Sequence, residues 1–208
     1  MSELAAARHP RSDFAEPLII GIGGTLRDGS TSERALQVSL EAARRAGART
    51  HAFTGRDLML PIYELGAEPT PEATAFVEML RICDGLIVSS PSYHGGVSGL
   101  IKNAIDYVED LRDDQRVYLD GRAVGTIVCA AGVQSIGTTL SGLRSMVHAL
   151  RGWPSPLGAG INTTEIVDGE FPAGTIWQLE EVGRQVAGFA MMQRAAEQDC
   201  YRRMKAAE

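Results

Sequence analysis

The run Leu18–Gly23 (LIIGIG) constrains the fold more than any other stretch of the chain, because it contains no polar residue. A strand with one face in water alternates polar and apolar residues, whereas a strand covered on both faces is apolar throughout. A helix with one apolar stripe follows, and the stripe consists of Ala35, Leu36, Leu40 and Ala43. This order of a buried strand and an amphipathic helix favours a parallel sheet with helices on both faces.

Strands and helices alternate along the rest of the chain. Further strands are predicted at 48–53, 85–88, 123–130 and 154–162. Helices are predicted between the strands and after the last one, including a helix from Val97 to Leu111. Five strands and five helices predict a flavodoxin-like α/β fold, a three-layer sandwich whose five-stranded parallel sheet has the order 2-1-3-4-5. A chain of 208 residues is long enough for one such domain, so residues 17–200 are expected to form a single domain.

Composition and charge restrict the cellular role. Apolar residues make up 44% of the chain and charged residues 22%, as in soluble globular proteins. A net charge of −6 argues against a nucleic-acid surface, and no apolar run approaches the roughly 18 residues needed to cross a bilayer. Residues 1–16 lack the apolar core of a secretory signal and any periodicity, so we expect a flexible N-terminal segment and a cytoplasmic protein.

Cysteine and histidine lack the spacing of a metal centre or of a disulfide framework. They occur at Cys83, Cys129, Cys200, His9, His51, His94 and His148. Cys83 and Cys129 lie in or beside apolar stretches, where cysteine behaves as a small hydrophobic residue. We therefore predict no metal site and no catalytic thiol.

Three of the predicted strands end in loops that are rich in glycine, serine and threonine. These loops follow the first, third and fourth strands, which are neighbours in the expected order. Because the carboxyl ends of parallel strands share one edge of the sheet, and ligands bind beyond that edge, the three loops are expected to form one pocket.

The first of these loops has the composition of a phosphate site. Its hydroxyl groups belong to Thr25, Ser30, Thr31 and Ser32. Arg27 adds a guanidinium, which suits a phosphate monoester, and the following helix adds N–H groups at its N-terminus. An ordinary turn with a helix cap would use the same residue types, and this alternative stays open at this point.

Two common nucleotide-binding motifs are absent from the first loop. Gly21 and Gly23 begin the pattern G-x-G-x-x-G, but Leu26 stands where the last glycine belongs. No acidic residue ends the second strand, and the G-K-[ST] of a P-loop is missing. NAD bound on this loop is therefore disfavoured.

The loop after the third predicted strand, called the third loop here, has a composition that suits a flat ligand. Pro91 stiffens the exit from the strand, Tyr93 offers an aromatic ring, and Gly95 and Gly96 allow backbone N–H groups to approach closely. The alternative is a turn whose tyrosine and histidine only cover the end of the sheet.

The third loop and the helix after it resemble the NADPH-dependent FMN reductase family, whose signature is approximately P-x-Y-x-G-S followed by G-x-L-K-N-A-I-D. The matching residues are Pro91, Tyr93, Gly95, Gly99, Lys102, Asn103, Ala104, Ile105 and Asp106. The first loop resembles the G-S-x-R-x-x-S loop of that family through Gly24, Thr25, Arg27 and Ser30. The two motifs occur in the order and at the spacing of the family, and the likeness in layout covers about residues 17 to 190.

The resemblance implies FMN as cofactor and NADPH or NADH as reductant. The phosphate would be held by Thr25, Arg27, Ser30 and Ser32, with Thr31 beside them. The isoalloxazine ring would be wrapped by Pro91, Ser92, Tyr93, His94, Gly95 and Gly96. Two residues depart from the family pattern, since Thr25 replaces a serine but keeps the hydroxyl, and Gly96 lacks the hydroxyl that the family usually has there.

The loop after the fourth predicted strand, called the fourth loop and covering residues 131–137, would form the remaining wall of the site. Gly132, Gln134 and Ser135 are candidates to contact the ring or the nicotinamide, although the loop is equally well explained as a plain turn. No catalytic side chain is required, because the flavin itself carries the hydride. His94 is only a weak candidate for acid–base chemistry, and packing or contact with the ring is the preferred interpretation.

The implied activity is that of an NAD(P)H-dependent FMN reductase, which passes a hydride to flavin N5 and the electrons on to an acceptor such as free FMN. A partner monooxygenase would use the reduced FMN. The alternatives are a quinone, azo or nitro reductase on the same fold, or a flavodoxin-type electron carrier, although the first loop lacks the flavodoxin pattern T-x-T-G-x-T. The family implies a homodimer or homotetramer.

Overall fold

The computed structural model describes residues 15–206, and nearly all of the predicted flexible segment 1–16 lies outside them. The strands are β1 (Leu18–Gly23), β2 (Arg49–Thr54), β3 (Gly85–Tyr93), β4 (Gly96–Val97), β5 (Ala123–Ala130), β6 (Trp153–Pro154) and β7 (Ala159–Asn162). The helices are α1 (Thr31–Arg45), α2 (Pro71–Ile82), α3 (Gly99–Asp106), α4 (Val133–Ala149) and α5 (Ala173–Ala206). Short 3₁₀ helices cover Gly55–Leu58, Tyr107–Leu111 and Thr163–Glu165.

The sheet is parallel along β2-β1-β3-β5, and β6 and β7 share the position beside β5. This order confirms the predicted parallel α/β architecture. The predicted number of five strands is wrong, because the sheet has seven strands within residues 15–206. One addition is β4, which pairs antiparallel with the end of β3, and the other arises because the predicted fifth strand is divided into two.

The division of the predicted strand 154–162 has a local cause. Ser155 N still donates to the Val124 carbonyl (2.9 Å), but Pro156 has no N–H to continue the ladder. The next amide, Leu157 N, turns away and donates to Gln185 Oε1 on α5 (3.0 Å). The chain returns to the sheet at β7, whose first residue pairs with Ile127 of β5.

Helices α2, α3 and α4 cover one face of the sheet, and α1 and α5 cover the other. The predicted helix from Val97 to Leu111 starts later and is shorter, since α3 ends at Asp106 and a 3₁₀ turn continues to Leu111. Ser98 causes the later start, because its side chain caps α3 by accepting a hydrogen bond from Ile101 N (3.3 Å).

Helices α1 and α5 cross at very short range. The Ser39 hydroxyl of α1 donates to the Leu179 carbonyl of α5 (2.7 Å), and both helices contribute buried apolar side chains to one core cluster. A Cβ placed on Gly183 would lie 3.0 Å from Ala43 N and from the Ser39 carbonyl carbon, and closer still to the Ser39 oxygen. The absence of a side chain at Gly183 therefore sets the distance between the two helices.

The opposite edge of the sheet, at the amino ends of the strands, contains a buried ion pair. The Asp84 carboxylate accepts hydrogen bonds from Arg194 Nη2 (2.7 Å) and from the amide of Leu18 (2.7 Å). The Asp84 side chain is fully buried and that of Arg194 is 13% exposed. This pair fastens the C-terminal half of α5 to the sheet. Across residues 15–206, every helix is too short or too polar to span a bilayer.

Candidate functional site

The register of the sheet brings the three predicted loops together. Gly23, the last residue of β1, pairs with Ser89 of β3, and Ser89 pairs with Ile127 of β5. Just beyond, Gly24 N donates to the Ser89 carbonyl (3.3 Å). The loops after β1, β3 and β5 therefore leave from one edge of the sheet, as predicted.

The first loop turns sharply into α1. Gly24 has a φ of 92°, which favours glycine, and its Cα faces the side chain of Glu33. Ser30 caps the helix by accepting a hydrogen bond from Glu33 N (3.4 Å), and the Glu33 carboxylate accepts one from Gly29 N (2.8 Å). Since the first N–H groups of any helix have no acceptor within it, those of Thr31 and its neighbour remain available at this end of α1.

The predicted phosphate ligands of the first loop differ in burial and in whether their side chains already form hydrogen bonds within the protein. The hydroxyls of Ser30 and Ser32 lie 3.5 Å apart, and both residues are buried. The Thr25 hydroxyl accepts a hydrogen bond from Arg27 N (3.1 Å). The Arg27 side chain is exposed and makes no hydrogen bond or ion pair to any residue in the range 15–206. Arg27 is therefore the available cation of this loop.

The third loop is a tight hairpin rather than an irregular loop. Tyr93 pairs with Gly96, and the two residues between them, His94 and Gly95, have φ values of 54° and 81°. Positive φ at both positions is the signature of a type I′ turn, whose twist matches that of the flanking strands. The turn leaves Tyr93 56% exposed and places the exposed His94 at the tip.

Two serine hydroxyls outside the predicted site residues fix the base of this hairpin. Ser90 Oγ accepts a hydrogen bond from Ser98 N (3.0 Å) and donates one to the Pro91 carbonyl (2.7 Å). Ser98 then caps α3 with its own hydroxyl. A serine directly before a predicted helix is a typical N-cap, so the role of Ser98 could have been inferred from its position.

The fourth loop is shorter than predicted. The expected loop 131–137 is wrong beyond Gly132, because α4 begins at Val133 and includes both Gln134 and Ser135 in its first turn. Gly132 precedes the helix without a side-chain cap, so the usual start signal is missing. Gln134 is exposed, whereas the Ser135 hydroxyl points to the hairpin and lies 2.5 Å from Ser92 Oγ.

The connection from β2 to α2 borders the first loop. A Cβ placed on Gly55 would lie 3.7 Å from the Thr25 carbonyl oxygen. Asn103 of α3 holds the next part of this connection, since its Oδ1 accepts from Tyr63 N (2.9 Å) and its Nδ2 donates to the Pro61 carbonyl (2.9 Å). Asn103 thus braces a second wall beside the first loop rather than acting at the hairpin.

Burial and hydrogen bonding perturb two titratable groups of this part of the fold. Burial, followed by the hydrogen bond from the Tyr63 hydroxyl to Asp110 Oδ1 (2.9 Å), raises the pKa of Tyr63 to about 12. Burial also raises the pKa of the Cys129 thiol, at the end of β5, to about 12. Both groups are neutral at physiological pH, which makes Cys129 a poor nucleophile.

A groove of about 300 Å³ lies between α3 and the C-terminal end of α4, lined in part by Tyr63, Ile105, Met146 and Leu150. Because α4 begins at the carboxyl edge of the sheet and ends at Ala149, this groove lies away from the three loops. Across residues 15–206, no three His, Cys, Asp or Glu side chains come close enough to hold a metal ion.

Comparison with known proteins shows similarity over most of the domain. The model of the family described as NADPH-dependent FMN reductase matches residues 17–163. An NAD(P)H-dependent FMN reductase of Pseudomonas aeruginosa is 34% identical over 98 residues, which cover 43% of this chain and 48% of that protein. An FMN-dependent NADPH-azoreductase of Staphylococcus haemolyticus is 31% identical over 120 residues, which cover 50% of this chain and 60% of that protein. The chain thus spans about half to three-fifths of the length of these relatives.

Solved structures share the fold at low sequence identity. An oxidoreductase from Corynebacterium diphtheriae superimposes with a TM-score of 0.67 at 18% identity, covering 85% of this chain and 98% of that one. A flavodoxin, WrbA-like protein from Agrobacterium tumefaciens gives a TM-score of 0.59 at 18% identity, covering 86% and 99%. At such identities the likeness concerns the fold alone, and it confirms the flavodoxin-like class.

Proposed function

The chain belongs to the NADPH-dependent FMN reductase family, and from this premise we propose that it binds FMN at the carboxyl edge of its sheet and reduces it with NAD(P)H. FMN held at this edge would supply the redox chemistry between NAD(P)H and an acceptor. The contribution of the protein is to bind, to align and to exclude water.

The observation that carries this proposal is the pairing of two unlike features on adjacent strand ends. The loop after β1 leads into the N-terminus of α1, which is where proteins bind phosphate groups, and it carries the exposed Arg27, which has no hydrogen bond or ion pair to residues 15–206. The hairpin after β3 presents Tyr93 and a tight turn, which suit a planar ring. One anion site beside one aromatic site fits a flavin mononucleotide.

Individual residues have distinct roles in this proposal. Arg27 and the backbone N–H groups of Thr31 and Ser32 hold the phosphate, while Ser30 acts mainly by capping α1. Thr25 shapes the loop through its hydrogen bond with Arg27 N. The phosphate contacts orient the cofactor without taking part in hydride transfer.

The ring would lie between the hairpin and the start of α4. Pro91 and Tyr93 to Gly96 form one wall, and Gly132 forms the other with the adjacent backbone. Gln134 is exposed at the mouth of this site and is a candidate to contact the nicotinamide. His94 is exposed at the tip of the turn, which suits a contact with the ring or with solvent better than proton transfer within a closed site.

Free FMN is the acceptor that we propose first, with a monooxygenase as the user of the reduced flavin. Reduction of an azo compound is the second candidate, because an FMN-dependent NADPH-azoreductase is 31% identical over half of the chain. Assembly as a homodimer or homotetramer and a cytoplasmic location remain predictions of this proposal. Gel filtration with light scattering tests the oligomeric state.

Titration of the purified protein with FMN, followed by stopped-flow mixing with NADPH without oxygen, tests the proposal. We expect saturable binding of FMN and rapid loss of the visible absorbance of the flavin. Slow or absent bleaching of bound FMN would favour an electron carrier, and a protein that neither binds FMN nor oxidises NADPH in its presence would refute the proposal. Parallel assays with FMN, a quinone and an azo dye then rank the acceptors.

A further inference from the structure

Three hydroxyl groups connect the hairpin to α4. Ser92 Oγ, on the last part of β3, lies 2.5 Å from Ser135 Oγ and 2.6 Å from Thr139 Oγ1. It also lies 3.3 Å from the Ser135 carbonyl oxygen. Ser135 and Thr139 are four residues apart on α4 and so share one helix face. Because a hydroxyl donates one hydrogen bond and accepts two, Ser92 can bond to both partners at once.

The cluster is partly shielded from water. Thr139 is 1% exposed, and Ser92 and Ser135 are half-buried. Hydrogen bonds in such surroundings are stronger than in water, and a partner left without its bond is costly to bury. The cluster therefore joins the hairpin to α4 more strongly than an exposed contact would.

The position of the cluster links it to the proposed flavin site. Ser92 lies two residues before His94 at the hairpin tip, and Ser135 lies three residues after Gly132, so the cluster joins the two proposed walls of the ring pocket. The tip itself approaches the same helix, since a Cβ placed on Gly95 would lie 3.9 Å from the methyl group of Thr138.

We propose that Ser92 is a positioning residue: together with Ser135 and Thr139, it holds the hairpin against α4 so that the ring pocket is formed before the flavin binds. The inference rests on the proposed function. A preformed wall spares the flavin the cost of ordering the hairpin, and this saving strengthens binding without any new contact to the ligand. The Ser92 hydroxyl, which bonds to α4, therefore acts through the hairpin.

The test replaces Ser92 by alanine and measures the flavin-free and the flavin-bound protein. In the flavin-free protein, amide hydrogen exchange across Tyr93–Val97 should become about tenfold faster, and the Kd for FMN should rise by about tenfold. The visible circular dichroism of the bound flavin should also change, because it reports how the ring is surrounded. Ser92→Thr keeps the hydroxyl and should restore all three properties.

Two further variants control the experiment. Ser145→Ala removes another hydroxyl of α4, which donates to the Ser141 carbonyl (3.0 Å) on an exposed part of the helix, and it should leave exchange and binding unchanged. Thr139→Val removes only the second partner, and the double variant of Ser92 and Thr139 should be no worse than Ser92→Ala alone, because Ser92→Ala already removes the contact with Thr139.

The outcomes separate this inference from the proposed function. If the wild-type protein binds FMN but Ser92→Ala matches Ser145→Ala in exchange, affinity and spectrum, the positioning role is refuted and the proposed function stands. A loss of thermal stability in Ser92→Ala with unchanged FMN affinity and spectrum would equally refute it, since the cluster would then serve only the fold. A wild-type protein that binds no FMN would instead overturn the proposed function.

Discussion

Replacing Gly183 by alanine, at the crossing of α1 and α5, has two opposing effects on the free energy of unfolding. Alanine is favoured over glycine in a helix interior by about 1 kcal/mol, so the substitution would stabilise an isolated α5. In the folded protein, the new Cβ would lie 3.0 Å from Ala43 N and closer to the Ser39 carbonyl oxygen. These neighbours are backbone atoms, which cannot rotate away as a side chain would.

The helices must therefore separate, and the steric effect should dominate. Overpacking of a close-packed interior costs about 1–3 kcal/mol. Separation also stretches the buried hydrogen bond between the Ser39 hydroxyl and the Leu179 carbonyl, which contributes about 1 kcal/mol. After the helix preference is subtracted, Gly183→Ala should lower the free energy of unfolding by about 1–3 kcal/mol.

Gly188→Ala is the matched control, because it lies on the same helix and a Cβ there meets no atom within 4 Å. This variant should gain about 0.5–1 kcal/mol from helix preference alone. Urea-induced unfolding followed by far-UV circular dichroism measures both free energies. A Gly183→Ala protein as stable as Gly188→Ala would show that the crossing of α1 and α5 is wider than described and would refute the reasoning.

Three further predictions concern charges and titration. Arg27→Ala should raise the Kd for FMN by about 10–100-fold and leave the Kd for riboflavin within about twofold, because a charge-assisted bond to the phosphate contributes about 1.5–3 kcal/mol. Asp84→Asn should lower the free energy of unfolding by about 3 kcal/mol, because it removes the fully buried negative charge that pairs with Arg194. The folded pKa of Tyr63, about 12 against an ordinary value of 10, should make stability fall between pH 10 and 12 more steeply in the wild type than in Tyr63→Phe.

Each of these has its own control. Equal weakening of FMN and riboflavin by Arg27→Ala would place Arg27 away from the phosphate. Asp113→Asn, at an exposed ion pair with Arg112, should change stability by less than about 0.5 kcal/mol, and a similar loss in both aspartate variants would show that burial is not the cause. The stability of the wild type falls in this pH range because the phenol of Tyr63 loses its proton near pH 10 in the unfolded chain but keeps it in the folded chain. Parallel curves of stability against pH for the wild type and Tyr63→Phe would contradict this prediction.

The architecture was predictable because its signals are local. The apolar run at β1, the largely apolar run at β5 and the helical stripes each appear within a few residues, and the alternation of strands and helices predicts the parallel sheet. The divided edge strand was not predictable in the same way. Pro156 signals a break, but the acceptor that captures the next amide is Gln185, 28 residues away on α5.

The candidate site shows the same difference between local signals, which could be predicted, and contacts between distant residues, which could not. Residues whose loops leave from neighbouring strand ends, such as Arg27 and Tyr93, could be grouped from the sequence, although their contact with a flavin stays a prediction. The partnership of Ser92 with Ser135 depends on the rotation of α4 about its axis, which the sequence does not reveal. The start of α4 was placed too late because Gly132 offers no side-chain cap and Gly137 lies within the helix.

The division of the strand beside β5 has a consequence for how molecules of this protein meet one another. A long exposed strand at the edge of a sheet offers a row of unpaired N–H and C=O groups, to which a strand of another molecule can add. Here that edge consists of a two-residue strand containing Pro154 and a four-residue strand, separated by a segment bonded to α5. An incoming strand would find too few consecutive partners to pair stably, so this side of the sheet is protected against aggregation by strand addition.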